Sequence, residues 1–425
     1  MLNLDCTALY SAVQALVKCS TTSASRIEGN AGVVSANSSN PSTTAPSSGA
    51  ESPARARATE MADRAGIWLN TLSENQIRTA LFPAPSQEDA DRERRRFFYV
   101  PTDHGGLTLE QQDPHQRQLA MRLLATGLSR EGYVAAAAIV GLENILDLYE
   151  DFRIQWDFPR GRDTGRYYLR IFGDPRESTT WSWRFGGHHL SINFLVIDGE
   201  VAATTPLFLG ADPASAPLPG GAHYAPLGGI EDLAFQFAAS LDGTQRSQMQ
   251  LLDRAVGDIV SGNRDRLTDG DEMMVTRNLF RGKLEKPELL KLADGIYAEG
   301  EEQSGFTEAD HRRMAYTVKP KGLSAADLSP DQRQLLQSLV AAASSGVHLD
   351  LAPIGPDRLA GMHVAWGGPL DGTPVYFRLQ AGTGFLYEYD NTQRKGNHVH
   401  SVLRNPLRDF GIDLLKQHYE NVAHR

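Results

Sequence analysis

The stretch Trp181-Ser182-Trp183-Arg184-Phe185-Gly186-Gly187-His188-His189-Leu190-Ser191-Ile192-Asn193-Phe194-Leu195-Val196 sets large apolar side chains two residues apart on both sides of a glycine pair. A period of two marks a half-buried strand, because successive side chains leave a pleated backbone on opposite faces. Trp181, Trp183 and Phe185 therefore mark one strand and Leu190, Ile192, Phe194 and Val196 the next, with Tyr167, Leu169 and Ile171 before them. Asp198-Gly199 is a hairpin dipeptide leading into Val201 to Phe208, so the region reads as an antiparallel meander.

Outward from the meander the period turns helical. Ala65, Leu69, Leu72 and Ile77 recur at near-helical spacing beside Trp68, and Ser73 with Gln76 has the spacing of a capping box. Asp113-Pro114 starts a helix carrying Leu119, Leu123 and Leu124 inward, and a third helix runs from about Arg130 to Asp151. Ile230 to Asp242 and Arg246 to Val260 are helical in pattern, and Ser261 to Glu308 reads as a charged helical insertion. The C-terminal part then repeats the first. Gly106-Leu107-Thr108, Pro114 and Gln116-Arg117-Gln118-Leu119 recur without a gap as Gly322-Leu323-Ser324, Pro330 and Gln332-Arg333-Gln334-Leu335. Strands are expected to follow the second copy at Met362 to Trp366, Pro374 to Leu379 and Phe385 to Tyr389. The expected fold is α+β: antiparallel sheets with flanking helices, in two pseudo-repeated lobes packed as one large domain. Residues 1–58 form a disordered low-complexity tail in this reading, 59–316 the first lobe with its insertion, and 317–425 the second. A pseudo-twofold between lobes is a natural place for a cleft.

Composition narrows the function. Of 425 residues, 42 are Lys or Arg and 52 Asp or Glu, a net charge of −10 that repels polyanions and argues against nucleic acid as partner. Both cysteines, Cys6 and Cys19, sit in the N-terminal tail, so chemistry in the folded body falls to His, carboxylates, hydroxyls and Arg. No uninterrupted apolar run approaches the roughly eighteen residues of a membrane span, and the first twenty residues lack a basic leader, so a cytoplasmic protein with no membrane partner is expected. No Gly-x-Gly-x-x-Gly, Walker, His-Glu-x-x-His or Gly-x-Ser-x-Gly signature occurs, so no nucleotide cofactor and no serine nucleophile is indicated.

The densest polar constellation runs from Glu388-Tyr389-Asp390-Asn391 through His398-Val399-His400 to Arg404, Asp409, Asp413 and His418. Residues two apart on a strand share a face, so His398 and His400 can present two imidazoles to one divalent ion, with Asp390 or Glu388 adding a carboxylate. Zn²⁺, Fe²⁺ or Mn²⁺ suits such a set. Near the first meander, His189 shares the polar parity of Ser191 and Asn193 while His188 shares the apolar one, so His189 is the better candidate for a cavity. Glu143 is a possible buried acid on an apolar helix, with solvent exposure the default. Arg184 and Arg378 stand at like positions in the two lobes, each able to hold a substrate carboxylate. The expected metal ligands are thus His398, His400 and Asp390, with His189, Glu388 and Arg404 catalytic and Arg184, His188, Asn193, Arg378 and Asn391 ligand-binding.

At these residues the chain resembles an uncharacterised family, the domain of unknown function 3500. The resemblance rests on Tyr168 to Phe172, Trp183 to Asn193, Thr205-Pro206, Phe208 to Pro213, Glu388 to Gln393, Asn397 to Val402 with Arg404, Asp409 to Leu415, and His418-Tyr419. It covers about Trp68 to His418. Leu403 stands where the family leads one to expect tryptophan, and Asn405 where an acid is usual. The resemblance implies no assigned reaction. The residues themselves point to a metal-dependent hydrolase or oxygenase acting on a small molecule in a His/carboxylate cleft. The other reading is a non-catalytic protein that binds a small anionic metabolite there.

Overall fold

In the computed structural model, residues 52–153, 162–351, 359 and 361–421 are described. Helix α1 (Pro53–Leu69) is capped by Ser52, and α2 (Glu74–Ala80) by the Ser73/Gln76 capping box expected from the sequence. Order begins before residue 59 because Ala58, Met61, Ala65 and Trp68 form one buried stripe, which the surrounding arginines and glutamate dilute in any compositional window. The rest of the expected tail, residues 1–51, lies outside the described residues. Helices α3 (Pro114–Gly127) and α4 (Arg130–Tyr149) follow, capped by Asp113 and Ser129. The second half contributes α5 (Gly228–Ser240), α6 (Gly243–Met249), α7 (Pro287–Ser304) and α8 (Pro330–Ser344).

One sheet runs through both halves. Its strands are β1 (Leu81–Phe82), β2 (Leu107–Thr108), β3 (Tyr168–Phe172), β4 (Trp181–Gly187), β5 (Leu190–Ile197), β6 (Glu200–Ala203) and β7 (Leu207–Ala211) from the first half. The second half adds β8 (Gln250–Leu252), β9 (Leu323–Ser324), β10 (Met362–Gly367), β11 (Tyr376–Ala381), β12 (Phe385–Asp390) and β13 (Val399–Arg404). The order is β1-β3-β4-β5-β7-β13-β12-β11-β10-β8, with β2 on β3, β6 on β5 and β9 on β10. The fold is α+β as expected, but the sheet is mixed: β1 on β3 and β8 on β10 are parallel, each joined by a long crossover. The helix expected over Arg246 to Val260 accordingly ends at Met249, where Gln250 turns to pair with Trp366.

Strand pairing reveals the symmetry. Leu107 faces Leu169, which faces Phe185, then Ile192, then Leu207; Leu323 faces Val364, then Leu379, Tyr387 and Leu403. Leu207 and Leu403 are therefore counterparts, and they are also each other's partner across β7 and β13. The pseudo-twofold passes between them. The helices obey it too. Gln76 and Gln116, the third residues of two capped helices, exchange side-chain amide bonds at 2.9 and 3.2 Å, and Gln245 and Gln332 do the same at 3.0 and 2.8 Å. Each pair also holds matching backbone carbonyls, Gln111 and Thr71 in one half, Asp327 and Ser240 in the other. The repeating elements of the second half thus start at α5, upstream of residue 317.

One sheet face buries Trp183, Ile192, Leu207, Phe377 and Leu403 under α1, α3, α4, α5 and α8. The other lies under Phe97 to Val100 and the segment from Leu252 to Tyr316. By length and composition α4 could cross a membrane, although Glu143 and Asp147 interrupt its apolar residues. Here its Ala136, Ile139, Leu142 and Leu146 are buried. The glutamine pairs yield a paired expectation: Gln76→Ala and Gln245→Ala each lower stability by about 1–2 kcal/mol, whereas exposed Gln334→Ala shifts it by less than about 0.5. Urea unfolding of the three variants checks this, and indistinguishable midpoints would remove the role given to the pairs.

Candidate metal centre

Gly187 pairs with Leu190, so His188 and His189 are the two-residue tip of the β4–β5 hairpin and lie outside the strand. Strand parity therefore does not separate them. His189 takes a left-handed conformation (φ 62°), and the two rings stand 3.7 Å apart, both on the same cleft. Backbone bonds fix the tip: the His189 N–H donates to the Tyr99 carbonyl at 2.9 Å, and the His189 carbonyl accepts from Gly210 at 2.8 Å. On the far side of the seam, β13 sets His400 opposite Gly210. A Cβ at Gly210 would lie 3.0 Å from the His189 ring, 3.1 Å from the His400 ring and 2.9 Å from the Val399 carbonyl. Glycine there is what lets the imidazoles approach.

Three imidazole nitrogens meet at this point. His398 Nε2 lies 2.7 Å from His189 Nε2 and 3.0 Å from His400 Nε2. Burial, reinforced by neighbouring cationic side chains, holds His189 and His398 well below the usual histidine range, so both are neutral near pH 7. His398 Nε2 carries at most one proton or one lone pair, so it cannot make two good hydrogen bonds at once. A cation between the three rings satisfies all three lone pairs. Tetrahedral ligation needs ligand nitrogens about 3.3 Å apart, so the two contacts of His398 would lengthen slightly around an ion. The outer ring nitrogens already face carboxylates: His400 Nδ1 is 2.7 Å from Asp258 Oδ1, and His398 Nδ1 is 3.7 Å from Asp212 Oδ2. Tyr99 donates to the other Asp258 oxygen at 3.2 Å and stacks on Phe208. Acids behind imidazoles are the usual support of a metal ligand set.

A second group, Glu143, His188 and His189, also converges. Glu143 Oε1 lies 2.6 Å from His188 Nδ1, and burial raises its carboxyl to about 8. The Arg162 guanidinium stands 3.3 Å from that same nitrogen, and a permanent cation there opposes a metal ion. Arg162 grips Glu150 with two bonds, and Glu150 and Asp212 share Arg394 at 2.8 and 3.1 Å. Burial lifts Asp212 to about 6, and its Oδ1 is buried without a partner. His188, His189, Arg162, Glu150, Asp212 and Arg394 line a cleft of about 900 Å³, with Glu143 behind His188.

The structure brings together His188, His189, His398 and His400 and sets the other expected site residues apart. Glu388 accepts from Tyr376 Oη at 2.6 Å and from the Val260 and Ser261 amides at 3.0 Å each, bonds that tie the covering segment to the sheet away from the cleft. Asp390 sits across the ladder from His400, but Thr392 holds its Oδ1. The acid that reaches His400 is Asp258. Arg404 binds Asp409 and the Arg264 carbonyl, both at 2.7 Å, in the core. Arg184 ties down the carbonyls of Glu93, Arg96 and His104, and buried Arg378 donates to the Met314 carbonyl. Asn193 donates to the Pro206 carbonyl, and Asn391 bridges Val375 and Glu231. These residues build the sheet and its covering segments and do not line the cleft. Asp258 and Asp212 escaped the sequence reading because a lone acid in a loop carries no spacing signal; Asp212 does lie within the Phe208 to Pro213 motif.

A mixed, pseudo-twofold sheet with a buried histidine centre at its seam defines an α+β class of protein. The chain matches the family described as "Protein of unknown function (DUF3500)" over residues 54–412, and it belongs to that family. Among curated proteins and solved structures, none matches it.

Burial of histidine also sets an acid limit. His104, stacked on Tyr168 and bonded to the Val100 carbonyl, is held at about 3 by desolvation. Its unfolded value is about 6.5, so between these limits the unfolded chain alone binds the proton. The contribution of this histidine to stability is therefore complete above about pH 6.5 and is lost as the pH drops toward 3. Thermal melts between pH 7.5 and 5 are expected to show a falling Tm, and His104→Gln to flatten that slope; an unchanged slope would remove the assignment.

Proposed function

We propose that this chain is a metal-dependent hydrolase, with one divalent ion, Zn²⁺ by preference, held by the Nε2 atoms of His189, His398 and His400. The observation that carries this reading is the meeting of three imidazole nitrogens in a buried triangle backed by Asp258 and Asp212. Three neutral imidazoles would hold such an ion without offsetting its charge, and the chemistry it would supply is acidification of water near neutral pH. That favours hydrolysis over oxygenase chemistry, which usually takes two histidines and a carboxylate. Water then adds across the scissile bond, its oxygen to the electrophilic centre and its proton to the leaving group. Asp258 orients His400, while Glu143 and Arg162 hold His188 against His189. The alternative, a binder of anionic metabolites, draws little support: Arg162 and Arg394 in the cleft are paired with acids, and Arg184 and Arg378 are elsewhere.

Metal analysis of the purified protein tests this. About one equivalent of zinc is expected, falling below about a tenth in the His398→Ala/His400→Ala double variant, with Asp258→Asn weakening affinity about 10–100-fold. Gly210→Ala keeps every ligand yet wedges the rings apart, and should weaken binding in the same direction. A chelator should lower the Tm and added zinc restore it. A metal-free wild type whose Tm ignores both treatments would end the proposal.

A further inference from the structure

The histidines occupy one part of a cleft far larger than they need. About 900 Å³ lies toward the upper end of the range for small-molecule sites, and beside the charged Asp253, Arg254, Glu299 and Glu301 the remaining lining carries an apolar stretch: Met273, Met274, Leu279, Phe280, Ile296 and Tyr297. This wall is continuous with the centre. Met273 lies 3.8 Å from the position of a Cβ on Gly257, the neighbour of Asp258, and Met274 packs on the cluster that contains Tyr99 and Phe208. Helix α7 supplies the outer part. Ile296 is 38% exposed there, although a helix of a folded protein ordinarily turns such a side chain inward. Glycines inside a helix cost about 1 kcal/mol each relative to alanine, yet α7 carries Gly295 and Gly300. Gly300 lines the cleft with nothing within 4 Å of where its Cβ would be, so the missing side chain leaves open volume. Methionines add an adaptable, polarisable surface that fits varied apolar shapes.

We infer that the substrate is an amphipathic small molecule whose hydrolysable polar group sits at the three histidines and whose apolar chain or ring lies along the Met273–Met274 and Ile296–Gly300 wall. This rests on the metal-centre reading, and it names what that reading leaves open. The polar head meets Asp212, Arg162 and Arg394, while the tail gains by leaving water. Each methylene buried on the wall strengthens binding about fourfold.

Alkyl hydroxamates, which join a metal-chelating head to a tail of chosen length, are the probe. Calorimetry on the zinc-loaded full chain should show the affinity rising at least about a hundredfold from acetohydroxamate to octanohydroxamate. Gly300→Phe fills the open volume and should cut that gain below about tenfold while leaving acetohydroxamate unchanged; Ile296→Asp should act in the same direction. Binding of acetohydroxamate with no dependence on tail length would overturn the amphipathic substrate and leave the metal centre standing. If no hydroxamate binds, the metal reading fails, and fluorescence of the neutral probe N-phenyl-1-naphthylamine then decides the wall. Enhancement lost in Gly300→Phe would support an apolar occupant, and no enhancement in the wild type would overturn it.

Discussion

The ladder between β7 and β13 is the constraint on which this molecule turns. Five residue pairs, from Val399 with Ala211 to Leu403 with Leu207, join two half-sheets that are nearly two hundred residues apart in the chain. The register is strongly specified, because a slip of one residue would carry Leu403 and Val399 out of the helix-covered core and turn His400 into it. The same register sets His400 against Gly210, whose amide holds the hairpin tip that carries His189. Core packing and site geometry are thus two consequences of one alignment.

The pseudo-twofold explains the scaffold, and departures from it explain the site. Both halves have a short parallel edge strand, a glutamine-linked pair of capped helices and a meander. Between β1 and β2 the first half has residues 83–106, whereas between β8 and β9 the second has 253–322, which includes Asp258, the methionines and α7. The hairpin that corresponds to His188-His189 is Gly382-Thr383-Gly384, with no titratable group. Of the two corresponding hairpin tips, the one in the first half carries imidazoles, and of the two corresponding covering segments, the one in the second half is the longer.

The centre gathers buried groups whose charges are managed in two ways. Burial penalises the charged forms of His188, His189 and His398 and holds all three well below the usual histidine range. Beside them, Glu150, Asp212, Arg162 and Arg394 form an alternating chain in which each acid touches a guanidinium. Pairing of each acid with a guanidinium limits the net field these groups add to the cleft.

Local signals in the sequence determined a good deal. The two-residue period of Trp181 to Val196 marked the meander, Ser73/Gln76 and Asp113-Pro114 marked helix starts, and His398-Val399-His400 placed two imidazoles on one strand face. Each depends on neighbours within four residues, where backbone geometry alone relates side chains. Only the tertiary structure decided that His189 and not Asp390 completes the triangle, that Asp258 stands behind His400, and that Glu388, Arg184 and Arg404 belong to the core. Those outcomes follow from strand register and from a loop folding across the sheet, and no spacing along the chain encodes how such distant segments align.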